Sequence, residues 1–403
     1  MLGAIIGDII GSVYERDNVK TTHFYLFTPS SRFTDDTVMT LAIAKWLTDC
    51  PNHSFEELVI TMQTLGRNYL NVGYGGRFLH WLTDLNPQPY GSFGNGSAMR
   101  VSPIGLYADT VEDVLRLSKL SAEVTHNHID GIKGAQAIAT AVFLAKKGES
   151  KAVIRNYIEK QFGYDLHARI EDIRATYTFD ASCQGSVPQA IIAFLDGNSF
   201  EEVIRLAISL GGYSDTIAAM AGSIAQHFYG VPQDISGYCY GILTPELRGI
   251  LNNFEKLVGI QEKDVFFLQR FIEAQDNSLT YNVALKEIQE GRKQSHWVWY
   301  IFPQLKGLGS SINSLYYGLV DIEEAEAYLT HPILGSRLRE ITKALLNHCG
   351  KDITLIMGDI DAIKLRSSMT LFDVISPNDV FSEVLQAFYE SKPDKQTLQK
   401  LNK

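Results

Sequence analysis

Two short stretches place carboxylates and hydroxyls at predicted helix starts. The stretch "FTDDT" contains Asp36 followed by Thr37. The stretch "GGYSDT" repeats this chemistry with Asp215 and Thr216. Aspartates commonly cap helices, because their carboxylates accept hydrogen bonds from free N–H groups of the first turn. Aspartates among threonine hydroxyls also suit a hard divalent cation such as Mg²⁺ or Mn²⁺. If the two starts face each other they could share one group of ions, and both interpretations stay open at this level.

The first residues, "GAIIGDIIGSVYE", combine a small-residue face with an acidic row. Three glycines recur at four-residue spacing, Gly3, Gly7 and Gly11. On a helix they share one face and let another backbone approach closely. Asp8, Ser12 and Glu15 form a neighbouring polar row at helical spacing. The alternative interpretation is a tightly packed first helix with a solvated acidic edge.

A glycine-rich loop, "GNGSAMR", carries Asn95, Gly96 and Ser97. Such loops expose backbone N–H groups that can bind phosphate oxygens. No Gly-Lys-Ser/Thr follows, so it is not a Walker loop. Further along, "THNHIDG" places His126 before another predicted helix. A lone histidine is more often structural than catalytic, so this stretch alone predicts little.

Helices must position these residues, because apolar side chains recur at three- to four-residue spacing along most of the chain. The clearest examples are residues 35–49, 131–147, 187–195, 200–209 and 216–228. Alternating strand patterns are scarce, and Gly-rich turns join the helices. We therefore predict an all-α protein with a first domain over residues 1–258 and a smaller, mostly helical domain over residues 265–403.

Composition indicates a globular protein that acts on small molecules or protein adducts. The 403 residues are 45% hydrophobic and 20% charged, and the formal net charge is -10. This charge disfavours a surface that coats nucleic acid. No run approaches the roughly 18–20 apolar residues of a membrane span. The four cysteines, Cys50, Cys183, Cys239 and Cys349, are far apart and predict reduced thiols in a cytoplasmic protein.

Taken together and in this order, the motifs resemble those of the ADP-ribosylglycohydrolase family, which includes dinitrogenase reductase-activating glycohydrolase. The resemblance covers roughly residues 1–255. It implies a compact all-helical fold with a binuclear Mg²⁺ or Mn²⁺ centre. It also implies hydrolysis of the bond between the anomeric carbon of ADP-ribose and an acceptor, often a protein side chain.

The resemblance carries roles over to particular residues. The implied metal ligands are Thr34, Asp35, Asp36, Asp215 and Thr216. Glu15 and Asp35 are the implied catalytic carboxylates, with Glu15 near the scissile ribose. The implied ADP-ribose-binding residues are Asn95, Gly96, Ser97 and His126. Ribosyl bond cleavage develops oxocarbenium-like positive charge, so carboxylates and cations that orient water fit this chemistry.

Tyr213 departs from the family pattern, in which this position is usually a metal-binding aspartate. Tyrosine is neutral at pH 7 and a poor metal ligand. We expect weaker occupancy of the second metal site and weakened or absent turnover. Three accounts stay open: a natural binding-only protein, an engineered inactive variant, and an active site that uses a different ligand.

The C-terminal residues resemble a small, mostly helical bacterial domain family of uncharacterised function. Trp297, Trp299 and Tyr300 stand beside His296. They predict either a helix-packing core or a stacking pocket for a nucleobase. In the second case, phosphate contacts are expected from Lys364, Arg366 and Ser367. On that hypothesis the domain binds and recognises ADP-ribose or the modified substrate.

The favoured function is a metal-dependent hydrolase that removes ADP-ribose from a modified protein, with nucleic acid as the less favoured acceptor. The alternative is a non-catalytic ADP-ribose-binding protein. A generic metal-dependent phosphohydrolase would need phosphate-binding lysines near the aspartates, and the motifs supply none. The acceptor stays undetermined, because arginine, serine, threonine and a nucleobase would all be attached through the same ribose carbon.

Overall fold

The computed structural model describes residues 1–260, 266–309 and 311–401. These residues form helices and no strand, apart from two isolated bridges, Gly94–Ser182 and Leu305–Leu319, so the predicted all-α class is confirmed. The chain divides into two compact units, Met1–Glu262 and Lys263–Lys403. Within the described ranges, every helix is too short or too polar to span a membrane.

The helices of the first unit are α1 Leu2–Gly11, α2 Asp35–Asp49, α3 Phe55–Asn68, α4 Gly76–Thr83, α5 Gly96–Met99, α6 Ser102–Tyr107, α7 Val111–Glu123, α8 Ile129–Lys146, α9 Lys151–Phe162, α10 Ile170–Arg174, α11 Cys183–Asp196, α12 Phe200–Ile208, α13 Ser214–Tyr229, α14 Gln233–Tyr240 and α15 Pro245–Leu257. Seven of these fifteen helices begin at a Ser or Thr whose side chain accepts a hydrogen bond from the first turn. Examples are Ser54 before α3, Thr110 before α7 and Ser150 before α9.

Helices α1 and α13 pack with their backbones almost in contact. A methyl group built on Gly3 would lie 2.2 Å from the carbonyl oxygen of Gly222. One built on Gly7 would lie 2.2 Å from the carbonyl oxygen of Ala218, and one built on Gly11 would lie 2.4 Å from Cα of Asp215. The glycine face predicted from the sequence therefore serves this approach. It brings the C-terminal end of α1 beside the start of α13. The helix ends at Gly11, so of the predicted polar row only Asp8 lies on α1, and Ser12 and Glu15 follow it.

Replacing Gly7 with alanine is expected to destabilise the protein strongly. The added methyl group would meet backbone atoms of α13, which cannot move aside as a flexible side chain can. We expect a loss of about 3 kcal/mol or more, which is the upper end for overpacked cores. At roughly 2–4 °C per kcal/mol for a domain of this size, calorimetry would show a clearly lowered Tm.

Gly249 provides the matched control for this substitution. It lies inside α15, and nothing stands within 4 Å of a methyl group built on it. Gly249→Ala should raise stability by about 0.5–1 kcal/mol, because alanine is the better helix former. Equal effects at the two positions would contradict close packing of α1 on α13.

The second unit has its own helices and its own apolar core. The helices are α16 Gln269–Asp276, α17 Thr280–Gln289, α18 Val298–Ile301, α19 Ile312–Tyr316, α20 Ile322–Thr330, α21 Leu334–Leu346, α22 Ile353–Met357, α23 Asp359–Ile375, α24 Val380–Tyr389 and α25 Lys395–Leu401. Trp297 is fully buried in this core, and its indole N–H donates to Glu287 at 2.8 Å. The core interpretation therefore holds for Trp297.

The side chains predicted to contact phosphate beside the tryptophans have partners within the protein. The Lys364 ammonium lies 3.8 Å above the ring of Trp299 and 2.7 Å from Asp361, so it covers a ring face. Ser367 is buried, and its hydroxyl donates to the carbonyl of Ile363 at 3.3 Å. Arg366 donates to the main chain near the end of the unit. Each of these three side chains therefore contacts a different part of the second unit.

Candidate active site

Asp8 of α1 fixes the start of α2. Its buried carboxylate accepts hydrogen bonds from the backbone and hydroxyl of Thr34, at 2.9 and 2.7 Å. It also accepts from the backbone of Thr37 at 3.1 Å and from the Thr37 hydroxyl. The motifs assign no such role to Asp8, and its helical spacing from Glu15 was the available signal. Asp8 thus ties α1 to the FTDDT stretch.

The two helix starts with the Asp-Thr repeat face each other. The hydroxyl of Thr216 on α13 donates to Oδ2 of Asp36 on α2 at 3.0 Å. At the same start, the Thr34 hydroxyl caps α2 by accepting from the backbone of Asp36 at 3.3 Å. Asp215 accepts from the backbone of Thr216 at 2.8 Å. The same residues therefore form the helix starts and lie close to one another, so the two interpretations of the sequence are compatible.

Burial raises the pKa of four neighbouring carboxyl groups, and like charges add to the shift in three of them. Burial raises the pKa of Asp35 to about 7, and the charges of Asp8 and Glu15 contribute in the same direction. Burial also raises the pKa of Asp36 well above its ordinary value, and Asp215 and Asp8 add to this effect. The pKa of Asp215 is raised by its burial and then by the charge of Glu15. The pKa of Asp8 is raised by burial, against the four hydrogen bonds that it accepts.

In the described part of the chain, no ion pair balances this charge. Among residues 1–260, 266–309 and 311–401, none of these carboxylates forms an ion pair with lysine, arginine or histidine. Oδ1 of Asp36 is buried and has no hydrogen-bond partner. Burying an unpaired charged oxygen among like charges is costly. A hard cation would satisfy it, so the oxygen-rich donor set fits a divalent metal ion.

Within the described residues, no three of the site carboxylates bring one oxygen each within 4.8 Å of one another. In the described part of the chain, the acidic group whose ligand atoms all come within 4.8 Å of one another is elsewhere, formed by Glu159, Asp165 and His167 at the surface. The fit of a metal at Asp36 therefore rests on donor chemistry, on charge and on the unpaired oxygen.

The glycine-rich loop lies beside the same helices. The hydroxyl of Thr40 on α2 donates to the Met99 carbonyl at the end of α5, at 3.4 Å. The backbone of Asn95 donates to Ala181 at 2.7 Å, and the side-chain nitrogen of Asn95 is buried without a partner. The Ser97 hydroxyl is fully buried and donates to the Gly131 carbonyl of α8 at 2.7 Å. The Ser97 side chain thus anchors the loop.

His126 lies against this loop as a neutral imidazole. A methyl group built on Gly96 would lie 3.1 Å from its Nε2. Burial lowers the pKa of His126 well below its ordinary value, and Arg100 and Arg77 lower it further. Its Nδ1 is 2.7 Å from the Thr125 hydroxyl, which accepts from buried Arg100 at 2.9 Å. The structure therefore brings Asn95, Gly96 and His126 together, with Arg100 as support that the sequence motifs did not assign.

Tyr213 packs against an aromatic ring. Its ring lies edge-on to the ring of Phe179, with centroids 5.2 Å apart, and Phe179 is half exposed. In the described residues the Tyr213 hydroxyl has no hydrogen-bond partner. Gly211 and Gly212 before it both have left-handed φ, +68° and +66°. Phe179 contacts Tyr213, and two residues later the carbonyl of Ala181 accepts from Asn95. The turn before α13 and the glycine-rich loop therefore contact the same short segment of the chain.

These features define an all-α protein built around a buried acidic site. The family model for ADP-ribosylglycohydrolases matches residues 1–259. The chain belongs to the ADP-ribosylglycohydrolase family, and so to a family of hydrolases that remove ADP-ribose from modified substrates. A second family model, for a protein of unknown function (DUF1810), matches residues 265–401. The predicted fusion of these two families is confirmed.

Named relatives match more than half of the chain. ADP-ribosylhydrolase ARH3 of Homo sapiens is 29% identical over 313 residues, which cover 58% of this chain and 85% of that protein. ADP-ribosylarginine hydrolase Tri1 of Pseudomonas putida is 24% identical over 266 residues, covering 57% of this chain and 70% of Tri1. A solved ADP-ribosylglycohydrolase-related protein complex has 24% identity and a TM-score of 0.47, covering 64% of this chain and 97% of that chain.

One solved structure is similar to the second unit. It is the conserved hypothetical protein Rv1873 of Mycobacterium tuberculosis, with 42% identity and a TM-score of 0.34. The match covers 35% of this chain and 99% of that chain.

Proposed function

We propose that this protein is a divalent-metal-dependent ADP-ribosyl-acceptor hydrolase whose reaction takes place at the acidic site. The observation that carries the proposal is the carboxylate of Asp36. One of its oxygens is buried without a partner, and like charges surround it. The residues that would hold Mg²⁺ or Mn²⁺ are Thr34, Asp35, Asp36, Asp215 and Thr216. When bound, the metal supplies Lewis acidity that orients water and the ribose hydroxyls.

The protein's own carboxylates act on charge and protons. Cleavage of the ribosyl bond develops positive charge at the anomeric carbon, which the surrounding carboxylates stabilise. Glu15 is the proposed acid–base group, because it is close enough to raise the pKa of both Asp215 and Asp35. Asp35 is proposed to orient the attacking water as well as to bind metal.

The loop beside the acidic site is the proposed binding region for the rest of ADP-ribose. The unpaired side-chain nitrogen of Asn95 is a donor for a ribose or phosphate oxygen. Gly96 leaves space next to Nε2 of His126, which is neutral and can exchange a hydrogen bond with the ligand. Ser97 is proposed to act through its anchoring of the loop to α8.

Binding without turnover is the second candidate function. The observation that favours it is Tyr213, whose phenol ring packs on Phe179 at the start of α13. With one acidic ligand fewer, the site could retain ADP-ribose and one metal ion but fail to complete the reaction. The two functions are distinguished by whether the protein releases ADP-ribose from a modified acceptor.

A panel of ADP-ribosylated acceptors tests the proposed function. Peptides modified on arginine, serine or threonine, and an ADP-ribosylated nucleic acid, are incubated with Mg²⁺, Mn²⁺ or EDTA. Mass spectrometry then measures released ADP-ribose. We expect release from at least one acceptor, with EDTA lowering the rate by ~100-fold or more, because the metal contributes several kcal/mol to the transition state.

Calorimetric titration with ADP-ribose completes this test. Binding with no release from any acceptor would support the second candidate. Neither binding nor release would reject both. Release that EDTA leaves unchanged would reject the metal dependence alone.

A further inference from the structure

The segment between α1 and α2, residues 12–34, carries Glu15 and is fastened to the other side of the site by side chains. Lys20 donates to the carbonyls of Leu210 and Tyr177, at 2.5 and 2.6 Å. Arg205 of α12 donates to the carbonyls of Thr22 and Phe24, at 3.0 and 2.8 Å. These contacts hold the outer part of the segment against the turn that precedes α13.

The Asn18 side chain forms hydrogen bonds with the main chain on two sides of the site, at Glu15 and at Gly212. Its side-chain N–H donates to the carbonyl of Glu15 at 2.6 Å. Its side-chain oxygen accepts from the backbone N–H of Gly212, three residues before Asp215. One amide therefore connects the main chain of the proposed acid–base residue to the turn that positions a proposed metal ligand.

The Gly-Gly turn matches this amide. Gly211 and Gly212 both have φ in the left-handed region, which favours glycine. A methyl group built on Gly211 would lie 2.4 Å from the Asn18 side-chain oxygen. The missing side chain at Gly211 thus lets Asn18 reach the Gly212 nitrogen. Only an amide of this length offers the donor and the acceptor that the two contacts need.

We propose that Asn18 is a positioning residue that sets where Glu15 stands relative to Asp215. The inference rests on the proposed function for the role of Glu15. Asn18 acts through the main chain of Glu15 and touches neither substrate nor metal. The start of α2 is held separately by Asp8, so loss of Asn18 should alter the placement of Glu15 more than the binding of metal at Asp36.

The test compares Asn18→Ala and Asn18→Asp with the parent chain. Asn18→Ala removes both contacts, and Asn18→Asp keeps the acceptor for Gly212 but loses the donor to Glu15. We expect kcat to fall by ~10–100-fold in both, because a displacement of about 1 Å at a reacting group can cost 100-fold. KM and the Mn²⁺ affinity measured by electron paramagnetic resonance should change by less than about 3-fold.

A double-mutant cycle separates positioning from general damage. In a Glu15→Gln background, Asn18→Ala should lower kcat little further, because its effect passes through Glu15. Lys20→Met is the matched control: it loosens the same segment but leaves both Asn18 contacts, and kcat should stay within about 3-fold. A kcat for Asn18→Ala within 3-fold of the parent, or an equal loss in the Glu15→Gln background, would overturn the proposal.

Hydrogen exchange at the Gly212 amide gives a readout that needs no turnover. This amide should be protected in the parent chain and should exchange at least about 10-fold faster in Asn18→Ala, because its acceptor is removed. A protein that releases no ADP-ribose but shows this difference would reject the proposed function and support the Asn18 bridge. An unprotected Gly212 amide in the parent chain would overturn the bridge.

Discussion

Asp36→Asn is expected to lose at least ~100-fold in ADP-ribose release while making the metal-free protein more stable. Loss of supporting residues around a metal typically costs 10–100-fold, and a direct ligand should cost at least the upper value. The gain in stability has the same origin as the loss of activity. The Asp36 carboxylate is buried beside Asp215 and Asp8, and asparagine removes its charge while keeping an oxygen for the Thr216 hydroxyl.

The stability gain should depend on pH. Because the pKa of Asp35 is raised from its ordinary value to about 7, the folded metal-free protein binds more protons than the unfolded chain between about pH 4 and pH 7. Its stability therefore falls as the pH rises through this range. Asp36→Asn should reduce this fall, since one member of the repelling group no longer ionises. Thermal unfolding in EDTA at pH 5 and pH 8 measures both effects, and we expect a gain of roughly 1–2 kcal/mol at pH 8.

Asp8→Asn is the contrasting variant within the same group of carboxylates. Asp8 accepts bonds from two backbone N–H groups and two hydroxyls, so an asparagine NH₂ there would face donors. We expect Asp8→Asn to destabilise the metal-free protein by about 1–3 kcal/mol. The exposed Asp49→Asn should change stability by less than about 0.5 kcal/mol. If Asp36→Asn destabilises the metal-free protein as Asp8→Asn does, Asp36 has a structural role. The proposal that Asp36 binds metal would then be wrong.

Local sequence patterns were sufficient for most of the helices, and they suggested the pairing of the helix starts as one of two interpretations. Apolar periodicity located residues 35–49 as a helix with the bounds that the structure gives. The repeated Asp-Thr chemistry raised the possibility that the two helix starts face each other, and the structure places Thr216 in contact with Asp36. The glycine spacing in α1 indicated a close backbone neighbour, although it did not say that the neighbour was α13. Periodicity and capping are properties of short segments, so they can be read without the fold.

The contacts that position the site residues could not be predicted from local sequence patterns. Asp8, Asn18 and Arg100 each act across a large separation in sequence, and their partners become apparent only when the helices are packed. For Ser97, too, the motif alone did not give the contact that the structure shows. Its motif suggests contact with phosphate, but the fold turns its hydroxyl toward Gly131. Trp297 and Trp299 are two residues apart, yet one fills the core and the other borders the surface.

Tyr213→Asp is expected to raise both metal binding and turnover. The aspartate would add a carboxylate two residues before Asp215, at the start of α13, where the family resemblance implies a ligand of the second metal. We expect Mn²⁺ binding to rise from about one ion to two per chain, and ADP-ribose release to rise by at least ~10-fold. Electron paramagnetic resonance measures the first result and the acceptor panel measures the second.

The same change should lower the stability of the metal-free protein. The new carboxylate joins buried groups whose pKa values are already raised by burial and by mutual repulsion, so an added negative charge increases the cost of folding without a cation. It also removes the edge-on contact between Tyr213 and Phe179, worth about 0.5–1.5 kcal/mol in a buried pair and less at this exposed one. Saturating Mn²⁺ should recover the loss, because ligand binding stabilises the folded state.

Two further variants distinguish the ligand from the ring. Tyr213→Phe keeps the contact with Phe179 and should leave Mn²⁺ binding unchanged, because the hydroxyl has no partner in the described residues. Tyr213→Asn has the size of aspartate without its charge and should raise Mn²⁺ affinity much less than Tyr213→Asp. If Tyr213→Phe lowers metal binding, the phenol is itself a ligand, and the protein uses a different set of donors. If Tyr213→Asp binds a second ion but releases no ADP-ribose, the missing metal is not what limits turnover, and the binding-only function becomes the better account.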